Sequence, residues 1–88
     1  MRVTFTWTAN SEIDIAGYKI YAGSASGTYD AANSPRDVGN ATSGYFDVNT
    51  FGSEMFFALT AYNTGDEESD FSTEVSQTFT RPVTVFRR

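Results

Sequence analysis

MRVTFTWT, residues 1–8, alternates Val3, Phe5 and Trp7 with Thr4, Thr6 and Thr8. That period of two predicts a β-strand with one buried and one wet face, starting at the first residue. There is no polar lead-in and no preceding strand, so the sheet is expected to start with an unpaired edge. The same period governs the rest of the chain. After a turn, ANSEID, the stretch IAGYKIYAG puts Tyr18, Ile20 and Ala22 on one face and Lys19 and Tyr21 on the other. GSASGTYDAANSPRD is rich in Gly, Ser, Asn and Pro and reads as loop with at most a short strand. SGYFDVNT carries Phe46 and Val48. MFFALTAYN places Met55, Phe57, Leu59 and Ala61 inward and Phe56 and Tyr62 outward. TGDEESD is an acidic turn, and FSTEVSQTFT is a further strand.

No stretch keeps helical spacing over ten residues. Short strands every 8–12 residues with turn chemistry between them predict an all-β fold, an antiparallel two-sheet sandwich. The domain is expected over residues 1–80, with 81–88 as a C-terminal extension. Pro82 sets off VTVFRR, an extra β segment with Val83 and Val85 on one face and Thr84 and Phe86 on the other. In strand FSTEVSQTFT, Phe71, Val75 and Phe79 agree in phase and are expected to pack in the core or at its rim. Gln77 falls on the same face, which predicts a bulge or a wet edge there.

Composition narrows the chemistry. The 88 residues contain no cysteine and no histidine, which removes disulfides, thiolate and imidazole metal ligands, and Ser-His or Cys-His nucleophiles. A single domain this size buries roughly 60–68% of its unfolded surface, so its aromatic residues must fill much of the core. Charge is unevenly distributed. Residues 1–80 hold three basic residues against eleven acidic, a formal −8, while Arg81, Arg87 and Arg88 give the tail +3. An acidic body argues against wrapping nucleic acid, which needs a basic groove. No apolar run reaches the ~20 residues of a membrane span, and no signal peptide is evident in this chain.

The Trp7 strand, DIAGYKIYAG at 14–23, FALTAYNTGDEES at 57–69 and STEVS at 72–76 together resemble a fibronectin type III domain of the bacterial and phage kind. The resemblance covers most of residues 3–80. It implies immunoglobulin-like topology, with strands B, C, a weak C′, E, F and G, and with Trp7, Tyr18, Ile20, Leu59 and Val75 in the inter-sheet core. Three departures stand out. The tyrosine that usually opens strand F is replaced by Met55. The leucine and proline before it appear as Asn49 and Phe51, so that corner is expected to be held by packing alone. The family's strand A has no counterpart.

Candidate sites follow from these patterns. By the resemblance, the B–C and F–G loops share one pole, which would gather Glu12, Asp14, Asp66, Glu67, Glu68 and Asp70. Calcium needs several converging hard oxygens, but no glycine-punctuated ligand spacing is visible. The plain reading is a solvated acidic loop, with no metal or cofactor, and Asp14, Asp66, Glu67, Glu68 and Asp70 as the weak metal alternative. Tyr21, Phe56 and Tyr62 are expected on the outer face of strands C and F, either as cross-strand pairs or as a patch that stacks on sugars or anchors a protein.

The remaining oddities are complementary. The open edge of Val3, Phe5 and Trp7 lacks a neighbour, and the tail residues Pro82, Val83, Val85 and Phe86 have strand character without a sheet. A tail donated to another copy would run as strand A does, giving a head-to-tail assembly, a ring or a filament. The leading expectation is therefore a non-catalytic structural or protein-interaction module, a self-assembling subunit of an extracellular or virion structure. The alternative is an adhesion or carbohydrate-binding accessory module using the aromatic face. An enzyme is not expected: paired carboxylates need a cleft between them.

Overall fold

The computed structural model describes residues 2–10, 14–48 and 52–79. Among these residues six strands form: β1 (Arg2–Thr6), β2 (Ile15–Gly23), β3 (Arg36–Gly39), β4 (Ser43–Asp47), β5 (Glu54–Asn63) and β6 (Val75–Thr78). They make two antiparallel sheets, one ordered β1-β4 and the other β3-β2-β5-β6. The described residues contain no helix long and apolar enough to cross a membrane. The tail from residue 80, and with it Arg81, Pro82, Val83, Val85 and Phe86, lies outside the described residues, as do Glu12, Asn49 and Phe51.

The sheets face each other through the residues whose alternation predicted it. Tyr18, Ile20 and Ala22 from β2, Met55, Phe57 and Ala61 from β5, Phe46 from β4 and Val48 just after it are all buried. Val3, Phe5 and Trp7 are half-buried against the same cluster. Rings interlock across the gap. Phe57 lies 5.0 Å from Phe5, 6.1 Å from Phe46 and 6.2 Å from Phe79, and Trp7 tilts against Tyr18 at 5.5 Å. A ring that is fully buried contributes about 1.5–3 kcal/mol, with a further ~0.5–1.5 kcal/mol for a well-placed aromatic pair. The Tyr18 hydroxyl also accepts the Asn10 N–H at 2.9 Å, which ties the loop after β1 to the second sheet.

One expectation needs correction. Val75 is 52% exposed rather than in the core, whereas Leu59, like Trp7, is half-buried and packs against the core cluster. Both lie where the sandwich stays open on one side, between β1 and the 72–75 segment. Gln77 sits in an unbroken β5–β6 register opposite Met55, with no bulge. All four β6 residues are exposed, so the wet edge is the correct resolution.

Before β6 the chain follows the β5 edge without forming a regular ladder. Ser69 and Ser72 donate their N–H groups to the Ala61 and Leu59 carbonyls at 2.8 and 2.9 Å. Their hydroxyl oxygens accept the N–H groups of the same two residues, each at 2.9 Å. A serine side chain thus replaces the missing partner carbonyl at each position, and the buried edge of β5 stays satisfied.

Candidate interaction surface: an open strand edge, its groove and the outer face

The Trp7 N–H donates to the Thr42 carbonyl at 2.9 Å. In an antiparallel ladder, residues that exchange hydrogen bonds alternate with residues that do not. Since Trp7, Phe5 and Val3 share that phase, the N–H and C=O groups of Arg2, Thr4 and Thr6 point away from β4. Among the described residues nothing pairs with β1 on that side. Beside this free edge runs an apolar groove of ≈ 170 Å³, lined by Phe5, Trp7, Ile20, Phe57, Leu59 and Val75. The groove separates two sheet edges, β1 on one side and the 72–75 segment on the other. The sequence placed Val3, Phe5 and Trp7 at an edge. It did not reveal that Leu59 and Val75 form the opposite wall, because that depends on how the sheets are spaced.

The outer face of β2 and β5 differs from a flat aromatic patch. Tyr21, Phe56 and Tyr62 are all half-buried and share that face, but they do not meet as one platform. Tyr21 instead packs edge-on against Phe71 at 4.9 Å and tilts against Tyr29 at 6.1 Å, while Tyr29 and Phe71 are 4.9 Å apart. Phe71, 51% exposed, thus belongs to a second, outer cluster rather than the inter-sheet core. Tyr62 stands four residues further along the sheet, with the Lys19 ammonium 5.3 Å from its ring centre.

Each of three tyrosines donates to a carboxylate. Tyr21 donates to Glu68, Tyr29 to Glu74 at 2.6 Å, and Tyr62 to Asp37 at 2.7 Å. Glu68 also accepts from Thr60 Oγ1 at 3.0 Å and Lys19 Nζ at 3.3 Å. Glu74 accepts from Ser26 Oγ at 2.6 Å and the Gly27 N–H at 2.9 Å, which pins the 25–28 turn to the chain entering β6. Burial, then the bond to Glu68, pushes Tyr21 up to about 12. The bonds to Glu74 and Asp37 raise Tyr29 and Tyr62 as well. The carboxyls move down: Glu68 through Tyr21, Glu74 through Ser26 and Tyr29, and Asp37 through the Gly39 N–H and Tyr62.

These shifts set a pH dependence at both ends. A carboxyl depressed by folding binds fewer protons native than unfolded, so its stabilisation is complete above the ordinary carboxylate range and is lost as pH falls through it. A raised tyrosine works in the opposite sense. Its stabilisation is complete below the usual value near 10 and lost as pH rises through the folded value. The melting temperature is therefore expected to be flat around pH 6–8, falling below about pH 4 and above about pH 10. A Tyr21→Phe, Tyr29→Phe, Tyr62→Phe variant should show a shallower acid limb. Parallel acid limbs for the two proteins would mean that these contacts do not stabilise the fold.

The two loops expected at one pole do meet there, since the Thr64 N–H donates to the Asp14 carbonyl at 3.1 Å. Their acidic side chains disperse. Glu68 turns onto the sheet, and Glu67 accepts from Asn63 Nδ2 at 3.0 Å. Asp14, Asp66 and Asp70 remain exposed. Among the described residues no three acidic side chains come together in reach of one metal ion. Compared with known proteins, the chain matches no family model, no curated protein and no solved structure.

Proposed function

We propose that the chain is a non-catalytic structural and protein-interaction module of immunoglobulin-like, fibronectin type III topology, a self-assembling subunit of an extracellular or virion structure. It binds by adding a strand to the free edge of β1. The family's B–E and C′–C–F–G sheets correspond in order to β1-β4 and β3-β2-β5-β6, which supports the topology. The single observation that carries the function is the edge of Arg2, Thr4 and Thr6, unpaired among the described residues, alongside an open apolar groove. Backbone groups on such an edge supply affinity, and pockets beside it select side chains. An edge left bare is an aggregation hazard, so an ordered occupant resolves it. The carbohydrate-binding alternative has less support, because the Tyr21 ring is engaged by Tyr29 and Phe71 and its hydroxyl by Glu68.

Thr4→Pro tests the reading. Proline at Thr4 removes an outward N–H and leaves the β1–β4 ladder intact, a position edge strands tolerate. The expected result is a β-sheet circular dichroism spectrum like that of the parent, with the assembly seen by sedimentation velocity reduced to monomer. A parent chain that is monomeric at every concentration, or a proline variant that assembles as fully as the parent, would refute it.

A further inference from the structure

We infer that the strand received by the groove is Val83–Phe86 of a second copy, entering antiparallel to β1 from the acidic pole; this rests on the strand-addition reading above. Direction is the first argument. β1 runs toward the pole where Asp14 meets the 64–68 loop, because Phe5 packs on Phe57, level with the end of β2, and Trp7 on Tyr18, near the start of β2. β6 runs the other way, and the chain leaves it at Phe79, beside the start of β5 at the opposite pole. A tail that turned back onto its own β1 would therefore run parallel to it. Antiparallel pairing requires the tail to come in at the acidic pole, which only another molecule stacked there can provide.

Length and charge agree with that arrangement. Nine residues, 80–88, follow the last described one. At about 3.4 Å per residue, five of them match the five residues of β1. Alternation in PVTVF puts Val83 and Val85 on one side, toward Leu59 and Val75 in the groove, once Thr84 is in the outward phase. Arg81 would then arrive among exposed Asp14, Asp66 and Asp70, so a cation meets a pole whose local charge is negative. Such a contact uses different surfaces on the two molecules and propagates head to tail, closing into a ring or growing as a filament.

Complementation tests the occupant separately from the edge. Full-length Thr4→Pro has a blocked acceptor and an intact tail. Full-length Val83→Glu, Val85→Glu has an intact acceptor and a blocked tail. Each alone is expected to be monomeric, and an equimolar mixture should form a dimer and nothing larger, because each dimer retains only one blocked tail and one blocked edge. If the tail variant alone assembles like the parent while Thr4→Pro does not, the edge is the binding surface but the tail is not its occupant, and the inference fails. Should both variants assemble like the parent, the edge reading fails with it. Two monomeric variants that do not combine on mixing would also overturn the inference.

Discussion

Phe57→Ala is expected to cost about 3–5 kcal/mol, the usual range for truncating a buried phenylalanine. Phe57 joins the two sheets through three ring contacts. It projects from β5 and meets Phe5 of β1, Phe46 of β4 and Phe79 beyond β6. Its removal leaves three rings from three elements facing a void, and the groove beside it opens further. Collapse is hindered because β5 is held on both sides, by β2 along eight paired positions and by β6 along four. A domain of 88 residues has a total stability of roughly 4–13 kcal/mol, so the loss takes at least about a quarter of the margin and, at the low end of that range, all of it. Urea unfolding at one fixed protein concentration should show a lower midpoint with an unchanged slope, and the melting temperature should fall by about 4–8 °C per kcal/mol. Phe71→Ala is the matched control. That ring is half exposed and outside the inter-sheet core. A Phe57→Ala loss no larger than the Phe71→Ala loss would contradict the central place given to this ring.

What the sequence made readable divides along the same line. The inner faces of β2 and β5 are visible in IAGYKIYAG and MFFALTAYN because alternation is a local property, and one register holds from the Gly17–Tyr62 pair to the Gly23–Phe56 pair. The half-buried phase of Val3, Phe5 and Trp7 was visible for the same reason. The tyrosine–carboxylate pairs were not. Tyr21 and Glu68 are 47 residues apart, and Tyr29 and Glu74 are 45 apart. Both carboxylates come from irregular chain that carries no period. Phe71 left a trace, since its phase within strand FSTEVSQTFT required Gln77 to share the core face. That conflict was a sign that the segment does not follow one regular face. Val75 misled because alternation states which side a residue faces, whereas burial depends on whether anything covers that side. At the mouth of the groove nothing among the described residues does. The same gap between facing and covering directs attention to β1, whose apolar face is packed while its backbone edge is bare among the described residues.

A loss of comparable size is expected from a single methyl group at Gly23. This residue ends β2, where the chain turns through 25–28 and passes back over it. An alanine Cβ there would overlap the Thr28 carbonyl oxygen, 2.7 Å from its carbon and 2.9 Å from Tyr29 Cα. All three are backbone atoms, so no rotamer change relieves the clash. A glycine within a strand often marks such a close approach of two backbones. The returning chain cannot simply lift away. The Ala31 N–H donates to the Ala22 carbonyl at 3.0 Å, and the Ala22 N–H donates to Ser34 Oγ at 3.0 Å. Moving Thr28 and Tyr29 also pulls the Gly27 N–H and the Tyr29 hydroxyl from Glu74, and Tyr29 from Phe71. Overpacking usually costs about 1–3 kcal/mol, and a backbone overlap backed by lost hydrogen bonds belongs at or above the top of that range. Gly23→Ala should therefore lower the melting temperature by at least about 12 °C and weaken the near-ultraviolet signal of the Tyr21–Tyr29–Phe71 cluster. Gly65→Ala, whose Cβ would meet only Asn63 Oδ1 at 3.4 Å and Glu67 Oε1 at 3.9 Å, should melt close to the parent. Equal melting of the two alanine variants would mean that the 25–28 turn does not lie on β2, and the route by which Glu74 fastens that turn to the chain entering β6 would fail as well.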